Sequence, residues 1–170
     1  LTLIRAGLYT SVQDGGREGL RQSGISRCGA LDYPSLVIAN LLVGNEANAA
    51  GLEITLGQVE IEFARSGWFA LTGAACEATL DGKAVWVGWR TAYRPGQRLV
   101  LKNPQHGIRS YLAVAGGIDV PEVLGSRSTD LKVGIGGIEG RRLQDGDQVK
   151  IGKSSRRFSA SRGVKQLPIG

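Results

Sequence analysis

The stretch "CEATLDGKAVWVGW", residues 76–89, decides the fold class of this chain because it has the pattern of a β-hairpin. Asp81 and Gly82 can take the positive φ values that a two-residue turn requires, and both flanking runs are rich in β-forming residues. Upstream, "GLEITLGQVEIEFARSGWFALTG" at 51–73 alternates apolar and polar residues. The sequence therefore predicts short antiparallel strands on both sides of this turn.

The strand pattern continues downstream of the hairpin. "TAYRPGQRLVL" at 91–101 contains Pro95 and Gly96, which predict a second turn between two strands. "IRSYLAVAGG" at 108–117 is a nearly continuous apolar run, typical of a central strand buried on both faces, and its final glycines permit a sharp change of direction. Together these segments predict a mainly β chain arranged as a meander.

One helix is predicted among the strands, over residues 33–43. Asp32 can cap its start, Pro34 is tolerated in a first turn, and Gly44 offers a left-handed end. Its residues are apolar almost all round, which predicts a buried structural helix with Leu41 in the core. A buried helix beside many short antiparallel strands indicates a small closed barrel, because closure removes exposed sheet edges.

Basic and acidic residues are distributed unevenly along the chain. Its 170 residues carry a net charge of +6 and are enough for one domain with a real core. Five basic residues after Gly152 face no acidic residue, which leaves a net charge of +1 for residues 1–152; they are Lys153, Arg156, Arg157, Arg162 and Lys165. We therefore predict a domain over 1–152 and a basic Ser/Arg/Gly-rich tail or linker over 153–170. Nucleic acid is accordingly not an expected partner.

The remaining sequence signals disfavour several classes of protein. No apolar run approaches the roughly 18 residues of a membrane span and no leader pattern is present, so the expected location is cytoplasmic. Cys28 and Cys76 lack metal-like spacing and are expected to be reduced thiols, with a disulfide between them as the alternative. His106, the only histidine, is expected at a turn before a strand, and no metal is expected. "GIGGIEG" at 134–140 lacks the spacing of phosphate-binding loops and suits a mobile surface loop at least as well.

Two polar clusters remain as candidate binding sites. The first is "QDGGR", where glycines let the backbone approach a ligand and Arg17 could hold a carboxylate or phosphate through forked hydrogen bonds; its candidates are Gln13, Asp14 and Arg17. The alternative is an Asp14–Arg17 pair that only fixes a turn. The second is "GSRSTD" at 125–130, whose hydroxyls and backbone amides suit a small polar or anionic ligand. Its alternative is a capped turn in which the hydroxyls satisfy nearby backbone groups.

The order of the longer motifs resembles one known family. "TSVQDGGREGLRQSGISRCGALD" at 10–32 is followed by "IANLLVGN" at 38–45, "YLAVAGGIDVPEVLGSRSTD" at 111–130 and "LQDGD" at 143–147. This series is similar to the allophanate hydrolase subunit 2, or biotin-dependent carboxyltransferase, family. That family includes one of the subunits of the bacterial ATP-dependent 5-oxoprolinase, the C subunit, and the KipA-type regulators. The resemblance covers roughly the first half of a family member and implies a cyclophilin-like antiparallel β-barrel with one buried helix.

The resemblance also implies a function and a site. It predicts a subunit of an ATP-dependent 5-oxoprolinase, a hydrolase that opens a cyclic amide to give glutamate. The expected partners are a sister subunit resembling allophanate hydrolase subunit 1 and a third 5-oxoprolinase subunit, with ATP bound through the complex. The implied substrate-binding residues, with catalytic residues left open, are Gln13, Asp14, Arg17, Ser126, Arg127, Ser128 and Thr129.

Two alternatives follow from the same resemblance. One is a carboxyltransferase component acting on urea or a related small amide, which would require biotin on a separate carrier. The other is a KipA-like regulatory protein that binds a kinase inhibitor.

Overall fold

The computed structural model describes residues 1–164 and is built mainly of β-strands, as predicted. One α-helix, α1, covers Tyr33–Leu42, and a short 3-10 helix covers Arg21–Ser23. Within the described residues there are nine strands: Thr2–Arg5 (β1), Tyr9–Gln13 (β2), Gly51–Thr55 (β3), Val59–Glu62 (β4), Gly67–Leu80 (β5), Lys83–Val85 (β6), Trp89–Tyr93 (β7), Arg98–Val114 (β8) and Arg162–Gly163 (β9).

The two long strands, β5 and β8, form the centre of a single antiparallel sheet. The main pairing path is β1-β4-β8-β5-β7-β9, while β3 joins β2 to β8 and β6 pairs with β5. The ends of the path, β1 and β9, do not pair with each other in the part of the chain that the structure describes. The antiparallel fold class is confirmed and is compatible with a cyclophilin-like arrangement, but the sheet does not close into a complete ring of strands.

Local turn signals were reliable, whereas strand partners were not. The predicted hairpin is confirmed, since Asp81 and Gly82 have φ values of 48° and 77° between β5 and β6. The turn at Pro95–Gly96 joins β7 to β8, yet those strands pair with β5 and not with each other, so the meander was wrong there. His106 is also not at a turn before a strand: it is exposed within β8, opposite Ala75 in an irregular part of the pairing with β5.

The main core fills the space beneath the sheet with aliphatic and aromatic side chains. Phe63 stacks on Tyr93 with ring centroids 3.8 Å apart and on Phe69 at 5.7 Å. The fully buried residues around them include Leu3, Ile54, Ile61, Leu99, Leu101 and Leu112. This core holds β3 and β8 rigidly behind the loops described below.

Helix α1 buries one face only. Asp32 caps it as predicted, because its Oδ1 accepts a hydrogen bond from the backbone N–H of Ser35 at 3.2 Å. Leu36 and Val43 are completely buried, whereas Leu41 is 61% exposed. Leu41 lies about 140° around the helix axis from Leu36, so it points away from the sheet. The prediction that Leu41 belongs to the core was therefore wrong, although the helix bounds were correct to one residue.

The chain after Gly152 lies against the sheet as far as Val164, and we call residues 153–164 the C-terminal strap. Phe158 packs edge-on to Trp68 with centroids 5.6 Å apart, and the guanidinium of Arg90 lies 4.0 Å from the Phe158 ring centroid. Arg90 Nε also donates to the carbonyl of Ala160 at 3.0 Å, and β9 pairs with β7. The predicted boundary at residue 152 stays a prediction, and Lys165, counted in the predicted tail, lies outside the described residues.

Replacing Phe158 with alanine should release the strap. The aromatic pair and the cation–π contact are each worth about 1 kcal/mol, so local opening should become roughly tenfold or more frequent. Limited trypsin digestion, read by mass spectrometry at Arg156, Arg157 and Arg162, should then proceed about tenfold faster. Ser159→Ala, at an exposed neighbouring position, is the control. Equal cleavage rates in the two variants would show that Phe158 does not hold the strap.

Candidate functional site

The two polar motifs meet in space although more than 100 residues separate them in sequence. We call residues 14–32 the first loop and residues 123–130 the second loop. The backbone N–H and the side-chain hydroxyl of Thr129 both donate to the carbonyl of Val12, at 2.9 and 3.0 Å. The backbone N–H of Asp14 donates to Ser128 Oγ at 2.9 Å. The second loop therefore lies along the end of β2, where the first loop begins.

The Asp14 carboxylate is the centre of this junction. Its Oδ1 accepts hydrogen bonds from the hydroxyls of Ser126 and Ser128, both at 2.6 Å, and from the backbone N–H of Gly16 at 2.8 Å. Its Oδ2 accepts from the backbone N–H of Arg127 at 2.6 Å. Burial alone would raise the pKa of Asp14, but these four hydrogen bonds outweigh burial and lower it. The carboxylate is thus held ionised as a cross-link between the loops.

Arg17 is a second cross-link. Its side chain is 1% exposed, its Nε donates to the carbonyl of Val123 at 3.1 Å, and one terminal nitrogen donates to the carbonyl of Ser128 at 2.7 Å. The other terminal nitrogen is buried without a partner in the described residues. No salt bridge joins Arg17 to Asp14 in residues 1–164, so the predicted alternative of an Asp14–Arg17 pair is wrong. Binding of a ligand by Arg17 stays a prediction. In the structure, the side chain of Arg17 is hydrogen-bonded to the second loop, and its backbone N–H is hydrogen-bonded to Arg27 within the first loop.

Of the seven predicted site residues, only Arg127 is more than 5% exposed. Gln13 Nε2 donates to Ser11 Oγ at 3.0 Å and to the carbonyl of Thr129 at 3.3 Å, while its Oε1 is buried without a partner in the described chain. Arg127 Nε donates to the carbonyl of Val120 at 3.0 Å. The structure thus brings the predicted residues together as a largely buried framework where the two loops meet.

Close backbone approach requires glycine at two positions in and beside these loops. Gly16 has a φ of +86°, and a Cβ there would lie 2.6 Å from the carbonyl oxygens of both Arg27 and Cys28. Gly136, with a φ of +72°, lies so close to the carbonyl of Ser128 that a side chain would overlap it. The segment 134–140 is therefore packed against the second loop, which differs from the mobile surface loop that the sequence suggested.

A pocket of about 500 Å³ opens between the two loops, and we call it the loop pocket. Its lining includes Gly15, Glu18, Arg27, Tyr33, Asn48 and Gly125. Sequence reasoning missed Arg27, Tyr33 and Asn48. Arg27 could have been included, because it is the third arginine of a loop already identified as polar. Nothing in the sequence relates Asn48 to Gly15, although the N–H of Gly15 donates to Asn48 Oδ1 at 2.6 Å.

A buried carboxylate fixes the far end of the first loop. Glu53, 5% exposed on β3, accepts hydrogen bonds from the hydroxyl of Tyr111 and the backbone N–H of Leu31, both at 2.8 Å. The Tyr111 oxygen in turn accepts from the backbone N–H of Asp32 at 2.7 Å. Burial raises the pKa of Tyr111, so its hydroxyl stays protonated as a donor. The sheet therefore anchors the loop immediately before α1.

Another pocket, of about 490 Å³, lies away from both loops against β1, β4, β5 and β8. Lys102 and Glu77 in its lining form an ion pair at 2.9 Å, so these charges are already matched. Neither loop contributes to it. We therefore take the loop pocket as the candidate site, since its lining includes glycines of both predicted motifs, although none of the seven predicted site residues lines it.

Three further features of residues 1–164 concern membranes, metals and disulfides. No helix in residues 1–164 is long and apolar enough to cross a membrane. Among these residues, no group of three or more histidine, cysteine, aspartate or glutamate side chains is arranged to hold a metal ion. Cys28 and Cys76 are both free, so the predicted thiols are observed and the alternative disulfide is not.

Comparison with known proteins defines the class to which this arrangement belongs. The family model for the carboxyltransferase domain, subdomain A and B, matches residues 23–169. The chain belongs to this carboxyltransferase-domain family, and the resemblance inferred from its motifs is confirmed.

Three curated proteins have sequences similar to this chain. The chain is 71% identical over all 170 residues to the 5-oxoprolinase C subunit of Escherichia coli (strain K12), covering 55% of that protein. It is 46% identical over 159 residues, 94% of the chain, to the protein of the same name in Haemophilus influenzae, covering 51% of it. It is 39% identical over 153 residues, 89% of the chain, to a "putative urea carboxylase" of Emericella nidulans, covering 12% of it. The chain thus spans about half the length of the two 5-oxoprolinase subunits.

Solved structures agree with this assignment. The crystal structure of TTHA0988 in space group P6522 superposes with a TM-score of 0.89 at 35% identity, over 98% of this chain and 61% of that one. The Kluyveromyces lactis urea carboxylase superposes with a TM-score of 0.86 at 34% identity, over 98% of this chain and 15% of that one. The same fold therefore occurs within proteins of different lengths.

Proposed function

We propose that this chain is part of a 5-oxoprolinase subunit that helps hydrolyse 5-oxoproline to glutamate with ATP hydrolysis. The observation that carries the proposal is the 71% identity, across all 170 residues, to a protein named as the C subunit of 5-oxoprolinase. An amide is a poor electrophile, so coupling to ATP is chemically reasonable: phosphorylation of the amide oxygen makes the amide carbon more electrophilic. Water then adds to that carbon, the C–N bond breaks with the ring nitrogen leaving as the amine, and a second water hydrolyses the resulting acyl phosphate to glutamate and phosphate. In this chain, arginine and backbone N–H groups at the loops would stabilise the charge that develops on the substrate.

ATP binding is better assigned to partner subunits than to this chain. The glycine-rich segment 134–140 lacks the spacing of phosphate-binding loops, and its Gly136 and Gly137 are packed against Ser128 and Thr129. We propose a cytoplasmic complex with a sister subunit resembling allophanate hydrolase subunit 1 and a third 5-oxoprolinase subunit. The predicted residues Gln13, Asp14, Ser126, Ser128 and Thr129 would hold the substrate-facing loops in place, and Arg17 and Arg127 would supply positive charge beside them.

Reconstitution tests this proposal. The full-length protein containing this chain is mixed with the two candidate partner subunits, and 5-oxoproline-dependent ATP hydrolysis is measured together with glutamate formation. We expect activity only when all three subunits are present. Full activity of the two partners without this subunit would reject the proposal.

A carboxyltransferase component acting on urea is the second candidate, favoured by the family description and by the 39% identity to a putative urea carboxylase. That reaction depends on biotin, so avidin should abolish it and leave 5-oxoproline-dependent ATP hydrolysis unchanged. The three curated relatives carry enzyme names, which favours both enzyme hypotheses over a KipA-like regulatory role.

A further inference from the structure

The loop pocket has the size and the partial enclosure by two loops that suit a small ligand. Its volume of about 500 Å³ lies within the range of small-molecule sites, about 300–1,000 Å³. Two of its lining residues, Gly15 and Gly16, follow Asp14 directly, and the buried hydrogen bonds of the Asp14 carboxylate hold Gly16 in place. Which ligand it suits depends on the polar groups that its lining leaves available.

Arg27 provides a positive charge that is held in place but weakly neutralised. Its Nε donates to the carbonyl of Gly15 at 3.2 Å, which fixes the guanidinium and leaves the two terminal nitrogens as a fork. The acidic group paired with it is Glu18, 3.8 Å from one of these nitrogens, and the two side chains are 53% and 84% exposed. Exposed pairs of this kind contribute about 0–1 kcal/mol. A ligand carboxylate can therefore replace Glu18 on Arg27.

Further hydrogen-bond donors lie on the same pocket lining. Asn48 Oδ1 accepts from the N–H of Gly15 at 2.6 Å and from the Tyr33 hydroxyl at 3.5 Å. Because the Gly15 N–H can only donate, the oxygen of the amide faces it, and Nδ2 is left without a partner within residues 1–164. The backbone N–H of Gly125 likewise makes no hydrogen bond in the described chain. One cation and two neutral donors are therefore available to a ligand rich in acceptors.

We propose that the loop pocket binds the carboxylate of a small amide-bearing acid, with Arg27 as the residue that recognises it. This inference rests on the proposed function and deepens it, since 5-oxoproline is a cyclic amide that carries one carboxylate. The forked nitrogens of Arg27 take the carboxylate, and Asn48 Nδ2 and the Gly125 N–H are available for the amide oxygen. Urea has no carboxylate, so the same pocket selects against it.

Direct binding tests the inference independently of turnover. Ligand-observed NMR on the full-length protein compares 5-oxoproline with pyrrolidin-2-one, the same lactam without its carboxylate. We expect 5-oxoproline to bind at least tenfold more tightly. Arg27→Gln should remove this preference, and Arg21→Gln, at an exposed arginine of the first loop outside the pocket lining, should keep it. Equal affinity for the two lactams in the wild type, no binding of 5-oxoproline, or an unchanged preference in Arg27→Gln would overturn the inference.

Two further measurements separate the possible failures. In the reconstituted complex, Arg27→Gln should raise KM for 5-oxoproline tenfold or more without changing KM for ATP. An unchanged KM for 5-oxoproline in an active complex overturns the inference and leaves the proposed function intact. Inorganic phosphate should compete poorly with 5-oxoproline; equal competition would make the pocket a general anion site and overturn the inference. Carboxylate-dependent binding without any turnover would support the inference while rejecting the proposed function.

Discussion

Asp14→Ala is expected to lower the free energy of unfolding by about 3–5 kcal/mol. The change leaves four donors without their acceptor: the hydroxyls of Ser126 and Ser128 and the backbone N–H groups of Gly16 and Arg127. Each buried donor left unsatisfied costs about 1–3 kcal/mol, reduced here because the hydroxyls can rotate to other acceptors. Urea denaturation measures the effect, and for a chain of this length the Tm should fall by about 6–20 °C.

The control is Asp119→Ala, which removes an exposed carboxylate that makes no side-chain hydrogen bond in the described structure. It should change stability by less than about 0.5 kcal/mol. If both variants unfolded at the same urea concentration, the Asp14 carboxylate would not be the cross-link between the loops that its four hydrogen bonds indicate.

The lowered pKa of Asp14 predicts that the stability of the folded protein depends on pH. The pKa of Asp14 is lowered in the folded state, because its hydrogen bonds outweigh burial, so the folded state favours the ionised form. The stability that it contributes is complete above the unfolded pKa of about 3.9 and is lost as the pH falls through the lower folded pKa. The difference in stability between wild type and Asp14→Ala should therefore be constant above about pH 5 and shrink below about pH 4.

Local signals in the sequence were sufficient for turns and helix ends. Asp81–Gly82 and Asp32 each act through residues within a few positions of themselves, so their roles could be predicted from the sequence alone. Strand partners were different, because pairing of β5 with β8 is decided by packing across the whole core. This is why the turn at Pro95–Gly96 was found while the strands on either side of it were given the wrong partners.

The candidate site was predictable as a set of motifs but not as a geometry. Glycines and polar residues identified both loops, yet the acceptors of Arg17 are carbonyls of Val123 and Ser128, more than 100 positions away. No local rule connects residues at that distance. Asn48 was missed for the same reason, since it enters the loop pocket only because the chain beyond α1 returns to Gly15.

Leu36→Ala is expected to destabilise the protein by about 2–5 kcal/mol, while Leu41→Ala should change stability by less than about 0.5 kcal/mol. Leu36 is completely buried and its Cδ1 lies against the backbone of Gly51, where a Cβ would come within 2.8 Å of it. Removing the side chain therefore leaves a cavity between α1 and β3. Leu41, 61% exposed on the same helix, leaves none.

The pair is a sharp test because both changes are leucine to alanine in one helix. They alter helix propensity equally, so the difference between them reports burial alone. Urea denaturation of the two variants should give midpoints that differ by at least about 0.5 M, at an m-value of about 1–3 kcal/mol per M. Equal midpoints would mean that α1 is rotated about its axis from the described orientation. A larger loss of stability for Leu41→Ala than for Leu36→Ala would mean that α1 buries its opposite face. Leu41 would then lie in the core, as the nearly uniform apolar sequence of the helix first suggested.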